Sequence, residues 1–155
     1  MRFLESITQL CTGVWVGAMA GFAATAPQIF SAFGPDRQRA GDLAGDMIWR
    51  LNTIGLILGV VALAAMLPRL KQGSNRWRSG LLALGLALSA TGALYVFPQM
   101  ARAQPPKPIQ EYAVDDPVRV TYNRWHERSR QVFGVAILLG AGVVLLGPMG
   151  EKKGR

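Results

Sequence analysis

The sequence predicts an all-α fold, a four-helix transmembrane bundle, on three observations. Four apolar stretches, Ile7–Phe33, Met47–Leu67, Gly80–Met100 and Val132–Pro148, divide the chain, with no Asp, Glu, Lys or Arg between Leu51 and Leu67, between Gly80 and Met100 or between Val132 and Pro148, and a hydrocarbon core of roughly 30 Å takes about 20 helical residues to cross. Half of the residues are hydrophobic and the mean hydropathy is +0.23, so too little polar surface lies outside these stretches to cover them in water. The intervening segments are short, which leaves room for a single four-span membrane domain over residues 1–155 and none for a separate soluble domain.

The first span follows Met1-Arg2-Phe3-Leu4-Glu5. Ala18-Met19-Ala20 matches a small-residue cleavage site, but the apolar run continues to Phe33, so the segment reads as a retained span and not as a signal peptide. Gly13, Gly17 and Gly21, with Ala20 and Ala24, put small residues along one face; close helix approach of the small-xxx-small kind is expected there, within the bundle. Cys11 is the only cysteine, which excludes an intrachain disulfide or a CxxC site and reads as a small buried hydrophobe. Pro27 removes one backbone hydrogen bond near the far end of the span, and Thr25 and Gln28 stand near enough to satisfy the freed carbonyl.

The second helix is expected to begin well before its apolar stretch. After Gly34-Pro35-Asp36, residues Ala40, Leu43, Ala44, Met47, Ile48 and Leu51 recur at helical spacing. Asp46 and Arg50 have the spacing of an exposed ion pair, worth a few tenths of a kcal/mol, and Gly55 and Gly59 offer a second packing face. The third span carries Pro98 near its outer end, with Tyr95 and Gln99 beside it, and Gln104-Pro105-Pro106-Lys107-Pro108 reads as a stiff polyproline-type connection. Asp116-Pro117 then supplies a capping residue and a first-turn proline. Val118, Tyr122, Trp125, Ser129, Val132 and Ala136 form one stripe, which predicts an unbroken helix from Pro117 to about Gly147 whose first half stands beyond the bilayer. Each half of the chain thus pairs a proline-bearing helix with an extended one, the pattern of a two-helix parallel repeat.

Charge gives an orientation. Arg2, the connection holding Arg69, Lys71, Arg76 and Arg78, and the tail with Lys152, Lys153 and Arg155 carry eight basic residues against Glu5 and Glu151, a net of +6. The two opposite connections carry nine basic and seven acidic residues, a net of +2 over nearly twice the length. The positive-inside rule then puts both termini in the cytoplasm, in the plasma (inner) membrane of a bacterium. The overall charge of +8 belongs to span ends that meet lipid headgroups. It forms no continuous stripe of the kind nucleic acid requires.

No motif announces catalysis. His126 is the only histidine, so one chain offers neither two haem ligands nor the three or four ligands of a zinc site; it reads as an interfacial histidine hydrogen-bonded near Ser129 and Asp46. Met19, Met47, Met66 and Met100 are of a type that suits Cu(I), but they lack a Met-x-x-Met spacing and read as packing residues. The absence of ionisable groups at depth counts against a pump. What remains is a polar layer at the outer interface, comprising Gln28, Asp46, Arg50, Asn52, Tyr95, Gln99, His126 and Arg128. It reads as a hydrogen-bonded collar, or else as a shallow pocket for an anion or small molecule.

Trp15-Val16-Gly17, Ala26-Pro27-Gln28-Ile29-Phe30, Ala40-Gly41, Phe97-Pro98 and Trp125-His126-Glu127-Arg128-Ser129 occur in that order. Over nearly its whole length the chain resembles the four-helix membrane family that includes eukaryotic transmembrane protein 205. The resemblance implies a four-helix bundle and, for the eukaryotic member, a link to tolerance of toxic metals and drugs; it supplies no reaction. Members often carry an Asn a few residues beyond the His-x-x-Ser pair, where this chain has Phe133. The function expected is therefore that of a non-enzymatic accessory, assembly or scaffold subunit. Its partners are the lipid bilayer and other membrane protein subunits, or a second copy of itself, and no cofactor or metal is called for. The alternative is a small-molecule or metal tolerance or transport factor that uses the outer polar layer.

Overall fold

The computed structural model describes residues 2–70 and 73–149. Lys71 and the tail with Glu151, Lys152, Lys153 and Arg155, all used in the charge count, lie outside the described residues. The elements are α1 (Arg2–Ala32), α2 (Arg37–Met66), α3 (Gly73–Thr91), a π-helical turn (Gly92–Val96), α4 (Phe97–Arg102) and α5 (Pro117–Met149), with no strand among the described residues. Among the described residues four stretches are long and apolar enough to cross a membrane: Phe3–Ala32, Arg37–Arg69, Asn75–Arg102 and Pro117–Gly147. The chain is an integral membrane protein built as an all-α bundle.

Local chemistry explains the helix starts. Gly34 takes a positive φ of 54° in the turn after α1, a conformation that costs glycine nothing. The Asp36 carboxylate then accepts from the Arg39 backbone N–H at 3.1 Å, a side-chain cap on the orphan amides of α2. Asp116 accepts from the Val118 N–H at 2.8 Å while Pro117 opens α5, so this helix runs through lead-in and span without a break. The two prolines are accommodated differently. α1 continues through Pro27 to Ala32, and Thr25 donates to the carbonyls of Gly21 and Phe22, not to that of Ala23, the one Pro27 deprives. Ahead of Pro98 the helix widens into the π turn, in which the Phe97 N–H donates to the Gly92 carbonyl, a known way to re-satisfy backbone groups beside a membrane proline.

α1 packs on α2 and α3 on α5, and α1–α5 and α2–α3 contacts close the bundle. Trp15, Met19, Ala62, Met66, Leu82, Leu86 and Val143 make the core. Thr8, Thr12, Asn52, Ser79, Ser89 and Ser129 are buried with them, while Leu10, Ile57, Val60, Leu84, Leu138 and Leu145 face outward. Small and polar inside with large aliphatics outside suits a bundle whose solvent is lipid, where helices gain by close packing and hydrogen bonding and nothing by hiding leucine.

The glycines divide between the two environments. A Cβ on Gly55 would run into the Trp15 indole, and one on Gly59 into the Leu86 side chain. A Cβ on Gly13, Gly17 or Gly21 would meet nothing within 4 Å. The expectation that this first stripe packs within the bundle is corrected here. Trp15, Met19 and Phe22 take the inward side of α1, and Gly17 lies roughly 200° around the helix from Trp15 at about 100° per residue. Gly55→Ala is therefore expected to lose about 1–3 kcal/mol through overpacking, and Gly17→Ala to lose nothing. Denaturant unfolding of both variants in detergent checks this, and equal losses would contradict the packing described.

Candidate functional site

The end of the bundle at which α1 finishes and α2 and α5 begin, where the sequence predicts the polar layer, is held by separate local contacts. The Gln104 amide donates to Asp42 at 2.8 Å, tying the proline-rich connection to the head of α2, and Arg119 donates to the Tyr112 carbonyl at 2.9 Å. Asp46 and Arg50 form an ion pair at 2.9 Å with both side chains exposed. Tyr95 meets Trp125 edge-on at 5.7 Å, and the Arg128 guanidinium lies over the same indole at 4.7 Å, a cation–π contact. His126 stacks on Tyr122 at 6.1 Å, and the Ser129 hydroxyl donates to the His126 backbone carbonyl at 2.9 Å. Among the described residues no hydrogen bond joins His126 to Asp46, whose carboxylate is taken by Arg50. Gln28 is exposed and Gln99 half-buried.

Asn52 departs from the other seven. It is 3% exposed and turns inward, donating through Nδ2 to the Ser89 carbonyl at 3.1 Å. With Met19, Ser89, Gly92, Ser129 and Phe133 it lines a cavity of about 10 Å³, room for one water molecule. The Ser89 hydroxyl there is buried without a hydrogen-bond partner among the described residues. The predicted polar layer is thus neither a ring nor a pocket: it comprises an exposed ion pair, an aromatic–cation cluster, a stacked histidine and one interior amide.

The densest polar site lies at the opposite end, where the four spans finish together. Glu5 on α1 receives Arg69, from the 3₁₀ turn after α2, on Oε2 and Arg78, from α3, on Oε1, the latter at 2.7 Å. Gln9 donates to Glu5 at 3.3 Å. Arg78 also donates from Nη1 to Asn75 Oδ1 at 3.4 Å and from Nε to the Val143 carbonyl of α5 at 3.3 Å. Its side chain is only 3% exposed. Nearby, Thr8 of α1 makes a 3.5 Å contact with the Ala62 carbonyl of α2, and Ser79 donates to Met66 Sδ at 3.9 Å. All four spans are linked here by charge-assisted or polar contacts, and Gly147 of α5 allows the approach, since a Cβ there would collide with the Gln9 amide.

The charge count treats Arg69 and Arg78 as connection residues. The structure places Arg78 inside α3, one turn before Leu82, because the helix starts at Gly73 and not at the apolar boundary. Asn75, Arg78, Leu82, Leu86 and Ser89 are the buried stripe of this helix, and its helical spacing is the signal that could have revealed an inward arginine. Of the four methionines considered for Cu(I), Met19 and Met66 are core residues and Met47 is exposed. Among the described residues no group of three or more His, Cys, Asp or Glu could hold a metal ion.

A family model described as Domain of unknown function (DUF4149) matches residues 10–107, from the third turn of α1 to the connection after α4. The chain belongs to the DUF4149 family. No curated protein and no solved structure matches it. The DUF4149 segment contains Asn52, Ser89, Arg69 and Arg78 but not Glu5, Gln9 or α5. The buried ion cluster is therefore assembled from the matched region and from the chain on both sides of it.

Removing one partner of a buried ion pair strands the other, at about 3–5 kcal/mol. Glu5→Gln is expected to lose stability on that scale, or to leave no folded protein in detergent. Asp46→Ala, which breaks an exposed pair, should change stability by no more than about 0.5 kcal/mol. Unfolding midpoints of the two variants give the comparison, and a small effect of Glu5→Gln would remove the cluster from the account of stability.

Proposed function

We propose that this member of the DUF4149 family is a non-enzymatic accessory, assembly or scaffold subunit that binds other membrane proteins. One observation carries the reading: Gly13, Gly17 and Gly21 face outward on α1 with no neighbour within 4 Å of where a Cβ would stand, and Ala20 and Ala24 beside them are exposed. A lipid-facing helix gains nothing from small residues, whereas a second transmembrane helix gains close backbone approach. The spans' lack of ionisable groups between Leu51 and Leu67, Gly80 and Met100, and Val132 and Pro148 also supports a binding role over ion or proton transport.

The test follows from the geometry. Gly17→Leu adds bulk where the chain itself has nothing, so helical content and unfolding midpoint should hold. A stoichiometric partner recovered with the tagged chain after gentle solubilisation should then be lost. If no partner is recovered with the native chain, or if it stays bound to Gly17→Leu, this reading fails. A tolerance or transport role, implied by the resemblance to the transmembrane protein 205 family, ranks second because the outer polar residues are divided among separate contacts. It requires that Arg50→Ala or His126→Ala fail to rescue a deletion strain from a defined toxicant.

We further propose that both termini face the cytoplasm across the plasma (inner) membrane of a bacterium. Support comes from the net +6 of the termini and second connection against +2 opposite. Topology reporters fused after Arg155 and within residues 104–112 should report opposite sides, the first cytoplasmic; the reverse pattern would invert the orientation.

A further inference from the structure

Among the described residues the buried cluster holds more positive charge than its one carboxylate balances. Arg69 and Arg78 both converge on Glu5, and among the described residues neither has a second carboxylate. What α5 contributes is the Val143 carbonyl, a partial charge only. Arg69 Nε and Arg78 Nη2 are buried with no hydrogen-bond partner among the described residues. A buried donor left unmade is unfavourable, and an uncompensated charge away from water more so, so the site is electrostatically incomplete in a way that an anion would complete.

Its depth narrows the kind of anion. Phe3, Arg69, Asn75 and Gly147 bound the four spans at this end, so the cluster lies where apolar helix gives way to the headgroup layer. Trp77, 78% exposed, and Phe3, 74% exposed, project at the same level, and aromatic side chains are enriched at that interface. Arg69 is the more accessible of the two guanidinium groups, at 15% against 3% for Arg78. It stands at the rim and Arg78 behind it.

We propose that Arg69, backed by Arg78, binds one phosphate-bearing anion at this face of the membrane, supplied by the headgroup of an anionic phospholipid or by free phosphate. The anion takes N–H donors of the Arg69 fork that Glu5 leaves over. The cluster then holds two positive and two negative groups. The site is independent of the partner-binding reading above, since the glycine stripe lies along the middle of α1.

The test uses the full chain in neutral detergent, given phosphatidylglycerol, phosphatidylcholine or sodium phosphate, with lipid retention read by native mass spectrometry and thermal midpoint read in parallel. Phosphatidylglycerol is expected to be retained at about one per chain and to raise the midpoint; phosphatidylcholine should do neither. Arg69→Gln should weaken that retention roughly tenfold or more, the scale of a charge-assisted hydrogen bond, with Arg69→Lys in between. Arg76→Gln, which removes an exposed charge at the same end, should leave retention unchanged. A saturable midpoint rise with sodium phosphate, beyond that of sodium chloride at equal ionic strength, assigns the site to the free anion; no such rise assigns it to the headgroup. Equal retention of the two lipids without a phosphate response, or an Arg76→Gln effect equal to that of Arg69→Gln, overturns the proposal. Retention is scored on folded chains, so a loss of stability in a variant does not obscure the reading.

Discussion

Arg78 is the residue on which the arrangement of the bundle depends. Once its side chain is withdrawn from solvent, the guanidinium must be met by groups from other helices, because the hydrocarbon core provides no water to do so. Glu5 of α1 and the Val143 carbonyl of α5 meet it, and Glu5 in turn draws in Arg69 from the end of α2. Three hydrogen-bonded attachments from one carboxylate and one guanidinium set the relative height of all four spans at this end. A vertical slip by one helical turn, about 5.4 Å, would leave a charge unpaired, whereas aliphatic side chains against lipid would register little change.

From this end the constraint weakens along the bundle axis. Thr8 still contacts α2 at the Ala62 carbonyl, and the Trp15 indole is lodged against Gly55 where only a glycine admits it. Further on, Asn52 reaches across to the Ser89 carbonyl, and the packing opens into a water-sized cavity beside the π turn that Pro98 calls for. Beyond that lie the lead-ins of α2 and α5, where Ala40 and Ala44 are buried and the polar contacts are exposed pairs and ring stacks of a few tenths to about 1 kcal/mol each. The bundle is thus closed by a buried ion cluster at one end and by small buried residues and exposed polar ties at the other.

The location of the membrane, the number of spans, the starts of α2 and α5 at Asp36 and Asp116 and the continuity of α5 through its lead-in were all legible in the chain. Each depends on local information: an apolar run of sufficient length, a capping side chain, a proline in the first turn, a stripe at helical spacing. The Asp46–Arg50 pair was legible for the same reason, being a matter of four residues on one helix. The arrangement of the predicted polar layer was not. Gln28, Tyr95, His126 and Arg128 lie near span ends in the chain, but position along a span says nothing of azimuth, and the rotation of each helix turns them toward different neighbours.

The same distinction separates the glycine face of α1 from the arginine cluster. Sequence by itself determined that small residues line one face of α1 and that arginines crowd the connection between the second and third spans, since spacing and charge are properties of the chain. Only the tertiary structure decided that Gly13, Gly17 and Gly21 face outward while Gly55 and Gly59 face inward, and that Arg78 is a buried partner of Glu5 and not a headgroup contact. In lipid the aliphatic faces of a helix are nearly equivalent, so hydropathy cannot choose which side turns in. That choice falls to the few bulky or polar side chains, Trp15, Asn52, Arg78 and Glu5, whose partners lie on other helices.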